Sequence, residues 1–312
     1  YELTSRIKAL SSSAKPALLF ATDRQALGVQ GLEPGLREKL QARYELQDLE
    51  LDSLDLSSSV PEGVSAALLM GPQSRVSEKT VYHLDQYLLR GGSVLIALDV
   101  KRVTMRSFMA TSADAGLGDF LKHRGLSIRH ALVFDAQSQP VQVSMPAGAF
   151  MMQHIINYPP ILRATGLNRA HPVTKGLDAL VLPFAGPVEA STRSAAGTAE
   201  TLVRSSPYSW TKEGDPPVLS MDPFDFPPPT KADPKGPFGV AAVVVDSFPP
   251  FMKEAPRELE ARPAKGAKAP KTVRPVSKGL AAPLKPGRLA LVGTSKFMGQ
   301  DFAAPASNIL FF

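Results

Sequence analysis

Residues 77–99 read SEKTVYHLDQYLLRGGSVLIALD, and this stretch decides the fold class. Val81, Leu84 and Leu88 recur at helical spacing and predict one apolar helix face. Ser77 is a suitable N-cap, with Glu78 in the first turn where negative charge meets the positive end of the helix dipole. Gly91 and Gly92 predict the helix end, because glycine enters the left-handed region without a Cβ clash. SVLIAL then runs apolar without a break. That pattern fits a strand buried on both faces, as in a parallel sheet covered by helices. Asp99 follows at the carboxyl end of this strand, where open α/β sheets place their ligand sites.

Similar units extend outward in both directions. PALLFAT at 16–22 predicts a first buried strand, and Leu32, Leu36 and Leu40 predict a helix over about 33–43. YELQDLEL at 44–51 alternates in period two and suggests a strand near the sheet edge. VSAALLM at 64–70 is another buried strand, ending at Gly71-Pro72. A short helix is expected over 117–123 and a fifth strand over 126–134. This alternation implies an open, mostly parallel α/β sheet flanked by helices, with right-handed crossovers. Beyond Asp135 the alternation fades. Short strands are expected at 180–187 and 201–204, and buried strands at 238–245 and 288–292.

The domain reading has four parts. Residues 1–15 are read as a polar lead-in linker, and 16–250 as an α/β domain that turns irregular and proline-rich from about 205. Residues 251–287 form a flexible basic insertion, and 288–312 a closing strand and the start of a cut element. Seventeen of the 29 prolines fall between Pro207 and Pro286, which excludes a mostly helical or central-strand region there. The opening at Tyr1 and the apolar SNILFF at the end suggest an excerpt of a longer protein, from which flanking membrane helices could have been removed.

The net charge of +6 is concentrated in one segment. Residues 252–288 carry ten Lys or Arg against three Glu, a net +7, which leaves the other residues at −1. The folded body therefore has no nucleic-acid-like charge. The basic segment is either a ligand for acidic polymers or anionic membrane surfaces, or a solvated spacer. PFDFPPP at 223–229 could dock onto the body or a partner, and docking onto its own domain is the cheaper explanation.

Candidate chemistry is sparse. There is no cysteine, hence no disulfide, thiolate ligand or cysteine nucleophile. GxGxxG, GxxxxGK[ST] and GxSxG are absent, and the five histidines show no metal-ligand spacing. No cofactor is implied. His83 is expected on the polar face of its helix, in water. The candidate ligand or partner rim gathers at strand ends: Asp23, Arg24, Gln73, Asp99, Lys101 and Ser295. The same residue types also cap helices and form turns. Asp23 and Asp99 are the one carboxylate pair that acid–base work would draw on, and no nucleophile or metal motif accompanies them.

Four segments carry a family resemblance. They are LREKLQARYELQDLEL, ALLMGPQSRVSEKTVYHLDQYLLRGGSVLIALD, HPVTKGLDALVLPFAGPVE at 171–189, and RLALVGTSKFMGQDF at 288–302. Together they resemble the GldG-like auxiliary subunits of gliding-motility-type ABC transporters. HPVTKGL also resembles proteins of the class I glutamine amidotransferase-like, flavodoxin-like fold. The resemblance implies a periplasmic domain held at the inner membrane between membrane helices, with residues 1–15 as a membrane-proximal linker. Its partners would be the permease and ATPase subunits, with a homo- or heterodimer as a further option. A related domain serves assembly in an intraflagellar transport subunit. The amidotransferase-like fold works through a cysteine nucleophile, so that activity does not carry over. Two readings follow: a non-catalytic interaction or ligand-binding domain, and a hydrolase or lyase acting on a sugar or cell-wall fragment at the strand-end rim.

Overall fold

The structure, a computed structural model, describes residues 15–56, 59–61, 63–104, 109–147, 150–192, 194–212, 218–220, 222, 228–252, 254–256 and 279–299. Most of the linker expected at 1–15, the bulk of the basic insertion, most of PFDFPPP and the last residues lie outside these.

Eight strands form one sheet. They are β1 (Ala17–Ala21), β2 (Glu45–Leu49), β3 (Val64–Met70), β4 (Ser93–Ala97), β5 (Gly166–Leu167), β6 (Thr198–Arg204), β7 (Gly239–Asp246) and β8 (Gly287–Val292). Their spatial order is β5-β6-β7-β8-β4-β3-β1-β2. The five strands from β8 to β2 are parallel. Strands β7, β6 and β5 extend the sheet antiparallel. The sheet is thus mixed rather than mostly parallel. An apolar run such as that of β7 reports burial on two faces, and burial does not distinguish strand direction.

Burial on two faces is visible residue by residue. Leu18, Phe20, Leu68 and Met70 point into one apolar cluster, while Leu19, Ala21, Ala67 and Leu69 point into another. This is the period-two alternation of a pleated strand with both faces covered. Helix α1 (Pro34–Arg43) supplies Leu36 and Leu40 to the first cluster. The rest of that face is covered by irregular and strand segments, including Leu162, Leu180, Leu182, Phe297 and Met298. Helices α2 (Glu78–Leu89) and α3 (Gly118–His123) cover the second face with Val81, Leu84, Leu88, Phe120 and Leu121. Strand β2 sits at the edge, as its polar alternation predicts, and β4 is central.

The expected fifth strand at 126–134 is two short strands outside the large sheet. Leu126–Ile128 pairs antiparallel with Val188–Ala190, and Val133–Asp135 pairs with Ser209–Thr211. Arg129 and His130 interrupt the run, and the Arg129 amide bonds to the Pro187 carbonyl instead. Past Asp135 comes an antiparallel hairpin, Ser138–Ala147 with Phe150–Ala164, that the sequence reading missed. Its base joins Leu180–Pro183 over a third apolar cluster containing Tyr158, Ile161, Val181, Phe184 and Trp210.

Helix α2 starts and stops where its sequence says. Ser77 Oγ accepts the Thr80 amide at 3.1 Å, and Gly91 takes φ +88° just past the helix end. Its outer face, however, is covered. Every residue from Thr80 to Leu89 is buried. The Leu280 amide donates to Gln86 Oε1 at 2.8 Å, and the Leu284 amide to the Leu89 carbonyl. Phe251 and Met252 donate their amides to Asp85. The two flanks of the basic segment therefore lie across the helix. Asp85 also pairs with Arg124, and both side chains are fully buried. Arg124 stacks under the rings of Phe120 and Phe248, at 5.4 and 5.0 Å, and donates to the Pro249 carbonyl. Burial brings its pKa down to about 10, so it stays charged at neutral pH.

His83 is a correction. It is 1% exposed rather than solvated, because the segments that cover α2 come from elsewhere in the chain. Neither ring nitrogen has a hydrogen bond of good geometry. Burial pulls its pKa below the ordinary 6.5, against a weaker opposing pull from the Leu54 backbone and Asp23. The folded state therefore holds a neutral imidazole where the unfolded chain takes up a proton.

Two outcomes follow from this packing. Removing either partner of the ion pair, as Asp85→Ala or Arg124→Ala, leaves a buried unpaired charge and costs about 3–5 kcal/mol in urea denaturation. The paired change Asp85→Leu with Arg124→Met costs less than either. As for pH, stability should fall as pH drops below 6.5 toward the lowered folded-state pKa of His83, since only the unfolded state is then protonated. Denaturation midpoints across that window should lose part of their slope in His83→Phe.

Candidate functional site

The carboxyl ends of β1, β2, β3, β4 and β8 converge on one rim, and all six candidate residues follow these ends in sequence. Strand β1 runs into Asp23, which is buried, and then into Arg24 and Gln25, both in the left-handed region at φ 55° and 58°. The Asp23 carboxylate accepts the amides of Leu51 at 3.0 Å and Asp52 at 2.7 Å, both just past β2. It also accepts the Thr80 hydroxyl at 2.7 Å, from the first turn of α2. One carboxylate thus ties together the ends of two strands and the start of a helix. Ser77 completes the knot by donating to Asp52. Arg24 is exposed and lies 3.5 Å from Asp52.

Asp99 makes a second knot, across the centre of the sheet. Its two oxygens accept the Ser295 amide and the Ser295 hydroxyl, each at 2.7 Å. Gly71, past β3, packs onto the pair with φ +59°. A Cβ there would stand 2.4 Å from Ser295 Oγ, so both the conformation and the space call for glycine. Thr294 donates to the Pro183 carbonyl at 2.6 Å and accepts the Lys296 amide. Phe297 and Met298 then enter the apolar cluster under the rim, and the Met298 carbonyl accepts the Glu33 amide at the start of α1. The segment after β8 closes over the strand ends.

Gln73 joins the two knots. It is exposed, its amide donates to the Arg24 carbonyl at 2.8 Å, and its side chain donates to the Gly71 carbonyl at 2.7 Å. Lys101 is elsewhere. It is 3% exposed and donates to Ser112 Oγ at 3.0 Å within the small sheet of Lys101–Thr104, Met109–Ser112 and Val218–Ser220. Among the described residues, Asp23 and Asp99 share no hydrogen-bond partner. Ser295 donates its proton to a carboxylate whose other oxygen is held by an amide, and no imidazole is bonded to either. The arrangement stabilises loops.

The sequence reading placed Ser77 as a cap and Gly71 at a strand end, but missed their bonds and contacts at the rim and missed Asp52 and Thr80, because those roles exist only across elements. It also missed a cavity of about 260 Å³ on the antiparallel half of the sheet. Thr201, Arg204 and Gly239 contribute from β6 and β7, with Arg129, Glu189 and Phe238 around them. Arg129 lies 3.8 Å from Glu189 and 5.4 Å from the centre of the Phe238 ring. The interruption of an apolar run by Arg129-His130 is the one local signal for it.

Asp99→Ala is expected to lose two bonds to a charged acceptor, about 1.5–3 kcal/mol each at most. Arg24→Ala on the exposed side of the same rim should stay within about 0.5 kcal/mol. Urea midpoints of the two variants should separate clearly, and Gly71→Ala should fall with Asp99→Ala.

Comparison with known proteins adds the following. The N-terminal domain of mmIFT52 aligns with a TM-score of 0.51 at 12% identity, covering 95% of this chain and 93% of that one. At that identity the likeness shows the fold alone. A putative ThuA-like protein from Bacteroides uniformis aligns at a TM-score of 0.40 and 11% identity, covering 96% and 89%. No curated protein matches the chain. The family described as ABC-type uncharacterized transport system matches residues 15–308, and the chain belongs to that family of ABC transporter auxiliary components.

Proposed function

We propose that this chain is a non-catalytic interaction domain of an ABC transporter accessory subunit. It is held on the extracytoplasmic face of the inner membrane and works beside permease and ATPase subunits in gliding motility or cell-envelope export. One observation carries the reading. The polar groups at the strand-end rim, where an α/β enzyme keeps its reactive groups, are committed to the chain's own amides and hydroxyls. The parallel strands follow the order β2-β1-β3-β4-β8, which is the flavodoxin-like order and suits an amidotransferase-like ancestry. The chain has no cysteine to serve as that fold's nucleophile. A small ligand would use the cavity beside Arg129 and Arg204 rather than the rim.

The test is co-expression of the full-length protein with its permease and ATPase. The expected result is a complex that survives purification, with the ATPase retained by the permease in both wild type and Asp23→Asn with Asp99→Asn, provided the variant stays folded. Turnover of glycan fragments by the purified wild-type chain, abolished in that double variant, would replace this reading with the hydrolase or lyase.

A further inference from the structure

The hairpin Ser138–Ala147 with Phe150–Ala164 is unlike the rest of the molecule. The chain is 21% charged, yet residues 136–162 contain no Asp, Glu, Lys or Arg. Tyr158 is buried at the base and Val141 packs against the third apolar cluster, but further along the ribbon large apolar side chains are exposed. Phe150 is 77% exposed, Met152 51% and Ile155 78%. Gln153, His154 and Asn157 are exposed as well. From Asn157 to Phe150 the ribbon extends about 25 Å at the usual rise per residue.

The register sorts these residues by face. Phe150 and Met152 pair with Ala147 and Met145, and Ile155 pairs with Gln142. Side chains alternate along a strand, so Ile155 lies on the face opposite Phe150 and Met152. Large apolar groups are therefore exposed on both faces of the ribbon. A flat protein partner covers one face and leaves the other in water. A medium that surrounds the ribbon covers both. The sequence is also zoned along its length. Residues 145–152 read MPAGAFMM and carry no polar side chain, and behind them come the polar residues Ser144, Gln153, His154 and Gln142.

We propose that this hairpin dips into the apolar layer of a lipid bilayer, with Phe150 and Met152 leading and the Gln142–His154 zone at headgroup level. The absence of charge is the complement of an uncharged hydrocarbon layer, since no ionised group has to be desolvated on entry. The open edges of a two-stranded ribbon limit the depth, because unpaired backbone groups are not tolerated in the hydrocarbon core. Insertion is therefore interfacial, and the affinity comes from apolar area rather than from anionic lipid. This inference stands on the hairpin itself and does not depend on the identity of any transporter partner.

The experiment is flotation of the purified 312-residue chain with vesicles of phosphatidylcholine alone, and of phosphatidylcholine with phosphatidylglycerol. Binding to both, insensitive to salt, is expected. Phe150→Thr with Met152→Thr should lower partitioning on the order of tenfold or more while leaving the urea midpoint unchanged, because both side chains are exposed. Ile155→Thr should give a smaller loss. In Phe150→Trp, emission should shift to the blue on vesicle addition, against a constant background from the buried Trp210. Binding only to vesicles with phosphatidylglycerol, abolished by salt, would assign membrane affinity to the basic segment and overturn the proposal. So would a wild-type dimer that the double threonine variant dissociates, in the absence of vesicle binding, since the hairpin would then serve a second copy.

Discussion

A carboxylate that accepts backbone amides across the chain is the interaction on which this fold depends. Asp23 takes the amides of Leu51 and Asp52, Asp99 that of Ser295, Asp85 those of Phe251 and Met252, and Asp135 that of Ser206. Asp48 does the same for Val29. In each case the amide belongs to a turn or an irregular segment with no ladder to satisfy it. Burying such a segment unpaired would cost more than any one contact returns, and a charged acceptor makes a stronger bond than a neutral one. These acids let irregular chain pack against a sheet that has few helices to cover it.

The same device draws loops over the rim. In an open parallel sheet the strand ends diverge and leave room for a ligand at the switch point. Here Asp23 draws the segment after β2 onto α2, and Asp99 draws the segment after β8 across β3 and β4. Phe297 and Met298 then fill the space beneath. One concave surface lies on the antiparallel half, beside Arg129 and Arg204. On the opposite face of the sheet from α1, the Asp85–Arg124 pair fastens the strap at 248–252 over α2, so the flanks of the basic segment leave from a fixed place on the body.

Much of the parallel half was legible in the sequence because each signal there is local. The Ser77 cap, the Gly91 stop and the SVLIAL run all act within a few residues of themselves, and α2 and β4 stand where they predict. The misses share a different cause. His83 sits on the helix face opposite the apolar stripe, and nothing near it in sequence reveals that the Leu54 backbone, some thirty residues earlier, will lie against it. Lys101 follows a strand end like its neighbours, but it is buried against Ser112 in a small sheet that forms only after the chain turns back. Strand β7 has the apolar run of a parallel strand, yet pairs antiparallel with β8, because burial leaves the same mark in either direction. The hairpin was missed because its alternation is weak, with proline at 140 and 146 and apolar residues on both faces. Asp23 and Asp99 were legible as rim residues. Their partners, at sequence separations of 28 and 196, were not.

The claim that the rim carboxylates serve the backbone rather than a substrate can be read directly from amide hydrogen exchange. The amides to follow are those of Leu51, Asp52 and Ser295 in the native protein. If the carboxylates hold them as described, all three exchange as slowly as amides of the central strands β3 and β4, through unfolding that is close to global. Exchange of these amides at the rate of the exposed turn at Ser74 and Arg75 would mean that Asp23 and Asp99 are free to meet a ligand, and would contradict the account.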